Sequence, residues 1–176
     1  MQEHLSQIFG VVCLTEIPDD LLMWGHYTDS YRGFVAEFVC DWEHVKNVPR
    51  ARGTPFGIGF KIDYIKNAPT LRRDFSNVAE RFCTKNEQWR YEQEWRVIRL
   101  LATSDFTEEQ TGYRFLRYSP LSLSRIICGH RMTNANKEQV AAMIHNNDFR
   151  HTRVQTAHPN LSRQTVEFRS LPLPDR

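Results

Sequence analysis

Long hydrophobic runs are missing from this sequence, and nothing in it approaches the ~18 residues that a membrane-spanning helix requires. The chain opens on Met1-Gln2-Glu3-His4 with no basic segment leading into an apolar stretch, so no secretory signal is expected. Cysteine is scarce and scattered, at Cys13, Cys40, Cys83 and Cys128, with no Cys-x-x-Cys. That pattern points to reduced thiols in a cytoplasmic setting rather than a disulfide framework or a structural metal. Internal repeats and low-complexity tracts are absent, which excludes solenoids and disordered linkers. Ser122 and Ser124 have no glycine elbow beside them, which argues against a serine hydrolase.

What is present is globular. The 176 residues are 40% hydrophobic, 12% aromatic and 25% charged. A chain of this length buries roughly 70% of its unfolded surface and needs no staple to fold. The net charge of +2 conceals an asymmetry. Residues 1–50 carry three basic and eight acidic side chains, and the remainder carries twenty and thirteen. Eighteen of the 23 basic residues are Arg, whose forked donors suit phosphates, so a nucleotide or nucleic acid is an admissible partner. No dense basic cluster appears, and surface charge accounts for the same composition.

Hydrophobic periodicity predicts strands at 10–15, 33–39, 60–65, 89–101, 125–129, 152–157 and 164–168. Tyr113 to Tyr118 is expected to pair back antiparallel across an acidic loop. Pro18-Asp19-Asp20 predicts a helix start with Asp as its cap, and residues 74–88 and 134–146 have helical spacing. Residues 48–56, with two prolines, read as a loop, and the tail from about 170 as extended. The expected class is α+β: a single domain over 1–176, with a mixed, mostly antiparallel sheet and two or three flanking helices.

The segment Trp89-Arg90-Tyr91-Glu92-Gln93-Glu94-Trp95-Arg96-Val97 is the most informative. As a strand it places Trp89, Tyr91, Trp95 and Val97 on one face and Arg90, Glu92, Glu94 and Arg96 on the other. Two carboxylates beside guanidinium groups can be tuned to different pKa values and made to work as a catalytic pair, Glu94 with Glu92. The same pattern also serves as a charge ladder that neutralises itself. A helix over 86–93 fits as well, and then only Glu94 and Arg96 point together. A second cluster, Met23-Trp24-Gly25-His26-Tyr27, can stack a planar ring and bond its edge. Equally, it can be a helix packed on a sheet with Trp24 and Tyr27 in the core. Asp63 with Glu94-Trp95-Arg96 outlines a Mg²⁺ nuclease motif, with Arg where Lys is wanted. Cys128-Gly129-His130 offers only two zinc ligands, which His26 or Cys13 could join. His145, His151 and His158 read as surface histidines.

The order of these motifs resembles the bacterial family called domain of unknown function 2971. The similarity runs from about residue 10 to the C-terminus. It rests most on Met23-Trp24-x-x-Tyr27 with Gly33, and on Trp89-x-Tyr91-Glu92-x-Glu94-Trp95-Arg96. The resemblance implies a further block ahead of residue 10, which these 176 residues do not contain. The family name carries no activity. The layout is also similar, more distantly, to ADP-ribosyltransferases, which hold NAD against an aromatic or His-bearing strand and steady its oxocarbenium-like transition state with a Glu-x-Glu carboxylate. That likeness implies a phosphate-containing ligand, with NAD the first candidate cofactor. Glu94 would be the transition-state carboxylate and Glu92 its assistant. Lys85 and Arg96 would hold phosphates or orient the acids, and Trp24, His26 and Tyr27 would line the base pocket. The competing class is a non-catalytic binding or interaction module in which the same charges form a buried network.

Overall fold

The computed structural model describes residues 8–40, 51–67, 82–102, 106–108, 114–145 and 148–171. The class is α+β, as expected, with mixed and antiparallel sheets. The chain divides into two compact units that interleave in sequence. The first comprises Met1–Glu16 and Cys40–Tyr118, the second Ile17–Val39 and Ser119–Arg176. No helix among the described residues is long and apolar enough to cross a membrane.

In the first unit, β1 (Phe9–Thr15), β3 (Ala51–Thr54), β4 (Gly57–Lys61) and β7 (Glu94–Leu100) form an antiparallel sheet in the order β1-β7-β4-β3. The pairs Cys13↔Arg96 and Thr15↔Glu94 set one face, and Trp95 and Val97 bury the other. Three expectations are corrected here. Residues 51–54, expected as loop, pair with β4 as a hairpin edge. The strand expected over 60–65 breaks at Ile62, whose N–H bonds the Glu94 carbonyl at 3.0 Å. The chain then runs on as β5 (Asp63–Ile65), parallel to β6 (Thr84–Asn86), so part of the helix expected over 74–88 is a strand. The rest of that helix, to residue 81, lies outside the described residues. β8 (Phe106–Glu108) and β9 (Arg114–Leu116) pair antiparallel, as the 113–118 segment was expected to do.

In the second unit, β2 (Phe34–Phe38), β10 (Leu123–Gly129), β11 (Arg153–Asn160) and β12 (Thr165–Ser170) are ordered β12-β11-β10-β2. β10 and β11 are parallel, joined through helix α2 (Asn134–His145); the other two pairings are antiparallel. Helix α1 (Leu21–Tyr27) starts where Pro-Asp-Asp predicts. The Asp20 carboxylate accepts the Met23 N–H at 2.9 Å, satisfying an otherwise orphaned donor. Its Trp24, 1% exposed, packs with Ile127, Ala157 and Val166. Burying an indole of ~200 Å² stabilises by on the order of 5 kcal/mol as an upper estimate. The indole N–H is satisfied by the Pro18 carbonyl at 2.7 Å. Gly25 needs no such space, since a Cβ there meets nothing within 4 Å. Gly25→Ala should therefore stabilise by about 0.5–1 kcal/mol through helix propensity, raising Tm by roughly 1–4 °C in a thermal melt.

Candidate functional site: a buried four-charge network

The segment expected as a strand over 89–101 is two elements, and the helix alternative over 86–93 describes the first of them, although Glu92, which that alternative set apart, still joins Glu94 on Lys85. Residues Glu87–Glu92 form a 3₁₀ helix, capped by the Asn86 side chain accepting the Gln88 N–H at 3.0 Å. Gln93 then adopts a left-handed conformation (φ 43°), and β7 begins at Glu94. The left-handed residue costs on the order of 1–2 kcal/mol and re-aims the chain. Glu92 consequently reaches the Glu94 face from a helix end rather than by strand alternation. Trp89 is not in the aromatic core face expected of it. It is 38% exposed, packs against Tyr91 with ring centroids 6.0 Å apart, and has the Lys85 ammonium over its ring at 5.2 Å.

The structure brings Lys85, Glu92, Glu94 and Arg96 together. Glu92 is 2% exposed and Glu94 5%. The Lys85 ammonium sits between them, paired with Glu92 Oε2 and 2.9 Å from Glu94 Oε2. Arg96 grips Glu94 with two donors, Nε to Oε1 at 2.7 Å and Nη2 to Oε2 at 3.1 Å. Its Nη1 donates to the Phe82 carbonyl at 2.7 Å. The backbone joins in: Thr15 Oγ1 donates to the Glu92 carbonyl at 2.6 Å, and the Glu94 N–H donates to the Tyr64 hydroxyl at 2.7 Å. Two acids and two bases cancel.

The electrostatics follow from these contacts. Burial by itself raises the Glu94 carboxyl, but hydrogen bonds from Arg96, Lys85 and Cys13 outweigh it and hold the group below its usual range. Burial works against the charged Lys85, yet bonds to Glu92 and Glu94 push its pKa upward. Cys13 is pushed up to about 11, first by loss of water around the sulfur and then by its bond to Glu94. It is a protonated donor to the network, not a thiolate nucleophile. Glu94 stays ionised near neutral pH, so it has no proton to deliver as a general acid. Each of its two oxygens already accepts bonds from fixed cations.

The other predicted residues fall elsewhere. Trp24, His26 and Tyr27 belong to the second unit, while Lys85 to Arg96 belong to the first. Trp24 lies in the core and presents no ring face to a ligand. Tyr27, expected in the core if not on a ligand, is 61% exposed, and His26 is exposed with an edge contact to it. The partner that stacks on Trp24 is Tyr31, at 5.5 Å and 15°, a residue that spacing did not flag. Asp63 is exposed on β5 and alternates with Tyr64, whose hydroxyl meets the Glu94 backbone. Among the described residues, no group of three or more His, Cys, Asp and Glu side chains could hold a metal ion. Cys128 is buried, and His26, which stands in the same unit as Cys128 and His130, is exposed.

Comparison with family models, with curated proteins and with solved structures returns no match.

Proposed function

We propose that this chain is a non-catalytic binding module whose Lys85, Glu92, Glu94 and Arg96 form an internal ion network that fixes the path of residues 85–96. The observation that carries this reading is the saturation of Glu94: both oxygens are committed to Arg96 and Lys85 in a site nearly closed to water. A carboxylate that steadies a developing cation must turn a lone pair towards the substrate. The residues assigned to NAD do not offer that contact. Lys85 and Arg96, which would have held phosphates, spend their charge on the two acids, and Trp24 is enclosed by apolar side chains. A buried, fully paired network costs desolvation and returns a single arrangement of the groups it joins, which suits a scaffold.

The test is Glu94→Gln, near in shape but uncharged. The module reading expects Tm to fall by several degrees as Arg96 loses its partner, with no NAD consumption by the unmodified chain. NAD turnover that vanishes in a variant melting like the parent would overturn the reading and restore the transferase.

A further inference from the structure

In the second unit, the parallel register of β10 and β11 pairs Cys128 with Thr156 and Gly129 with Ala157. The next step carries His130 alongside His158. Their rings stand 5.9 Å apart, tilted by 31°. They are 28 positions apart in sequence, which is why His158 reads as an isolated surface residue until the strands pair. Each ring is held. His130 packs on Tyr31 at 5.0 Å, and Tyr31 is stacked in turn on Trp24. His158 Nε2 shares a hydrogen bond with Thr156 Oγ1 at 3.0 Å.

The charges around this pair are predominantly of one sign. Lys137, on the first turns of α2, donates to the His130 carbonyl at 3.3 Å. Arg131 follows His130 directly. Arg169 lies opposite Thr156 on β12. Glu167, opposite His158, is an acid that acts on His158. It is already shared with Asn160 at 2.6 Å and, more loosely, with Arg163 at 3.7 Å and Arg169 at 4.0 Å. Burial first, then the surrounding cations, pull both imidazoles below their ordinary range, with the Ala157 carbonyl and Glu167 opposing. Grouping two imidazoles, two arginines and a lysine costs repulsion, which a bound anion would reverse. The cluster sits just past the carboxyl end of β10, beside a strand parallel to it.

We infer that His130, His158, Lys137 and Arg169 form an oxyanion site that takes a phosphate-type group. The two imidazoles would supply directed N–H donors, Lys137 and Arg169 the charge, and Tyr31 would hold the His130 ring in place. The inference uses neither Glu92 nor Glu94, so it stands or falls apart from the reading of the first unit.

The test follows histidine resonances of the intact chain by NMR while inorganic phosphate is added, with a nucleoside 5′-monophosphate in a parallel arm. Saturation should raise the pKa of both His130 and His158 by about one unit, equivalent to about tenfold tighter binding of phosphate by the protonated ring. The exposed His26 and His151 should stay still. Arg169→Ala, at an exposed side chain, should weaken binding severalfold without moving Tm, and Lys137→Ala with Arg169→Ala should weaken it at least tenfold. His130→Gln with His158→Gln should weaken binding at least tenfold as well. Tighter binding of the nucleotide would make the group part of a larger ligand, and equal binding would make it a free oxyanion; either supports the site. Absence of any shift at millimolar phosphate, equal shifts in all seven histidines, or undiminished affinity in the Lys137/Arg169 variant would overturn it.

Discussion

Gly129→Ala is expected to unfold or severely loosen the second unit, with a loss of at least about 3 kcal/mol and a Tm lower by roughly 6–12 °C or more. The reason is a backbone approach that leaves no room for a methyl group. A Cβ on Gly129 would stand 2.0 Å from the Tyr31 carbonyl oxygen and 2.5 Å from its carbon. Neither is the mobile end of a side chain. Tyr31 cannot simply withdraw, because Asp29, Ser30 and Tyr31 all carry positive φ, at 48°, 53° and 67°. Such a run of left-handed residues without glycine persists only where its surroundings impose it. Here the Thr28 carbonyl accepts the Gly33 N–H at 2.7 Å, and the Tyr31 carbonyl accepts the Arg131 N–H at 3.1 Å. The Gly129 N–H also donates to the Gly33 carbonyl at 2.9 Å. Pushing the turn away would break these bonds together with the Tyr31–Trp24 stack. Thermal or urea unfolding checks the prediction, with Gly25→Ala as the matched control. A Gly129→Ala protein that melts like the parent would show that the approach of these backbones is not needed.

The strands marked by a buried apolar run or by clean alternation were legible in the sequence. β1, β10 and β12 fall close to where apolar periodicity places them, and Asp20 caps α1 as its Pro-Asp-Asp context suggests. At 89–97 the helix alternative over 86–93 holds and the strand reading fails, for a physical cause. The run Trp-Arg-Tyr-Glu-Gln-Glu-Trp-Arg keeps period two across Gln93, so periodicity sees one strand where the backbone turns through a left-handed residue. Asn86, a capping residue type ahead of the turn, was the available signal. The gathering of Glu92 and Glu94 on Lys85 was half visible: the residues were singled out, but whether they would open to a ligand or close on one another depends on burial, which composition does not encode. Tyr31 left even less trace. Only Asp29 and Ser30, small and polar, together with Gly33, mark the turn that carries it onto Trp24. The His130–His158 pair depends on the parallel crossover through α2, a long-range pairing that no local pattern specifies.

Lys85→Met should cost about 3–5 kcal/mol at neutral pH, because it removes one cation and leaves two enclosed carboxylates sharing Arg96. Methionine fills much of the lysine stem's volume, so the loss is electrostatic rather than a cavity. The pH dependence identifies the cause. In the parent, Glu94 has a depressed pKa in the folded state. Its contribution to stability is therefore present above the unfolded carboxylate value of about 4.3 and fades as pH falls through the lower folded value. In the variant, two like charges without the ammonium favour uptake of a proton by one of them, which raises rather than lowers a folded-state pKa. Acidification then relieves the strain that neutral pH imposes. The stability gap between parent and variant should be widest near pH 7.5 and should shrink as pH approaches about 5. Urea unfolding at the two pH values measures it. Adding Glu92→Gln to Lys85→Met should recover a large part of the loss at pH 7.5, since the network again carries one acid and one base. Added salt should change the gap little, because the groups are buried beyond effective screening. A gap that is absent, or that stays constant across this pH range, would mean that the ammonium is not what holds the two acids in place, and the module reading would lose its physical basis.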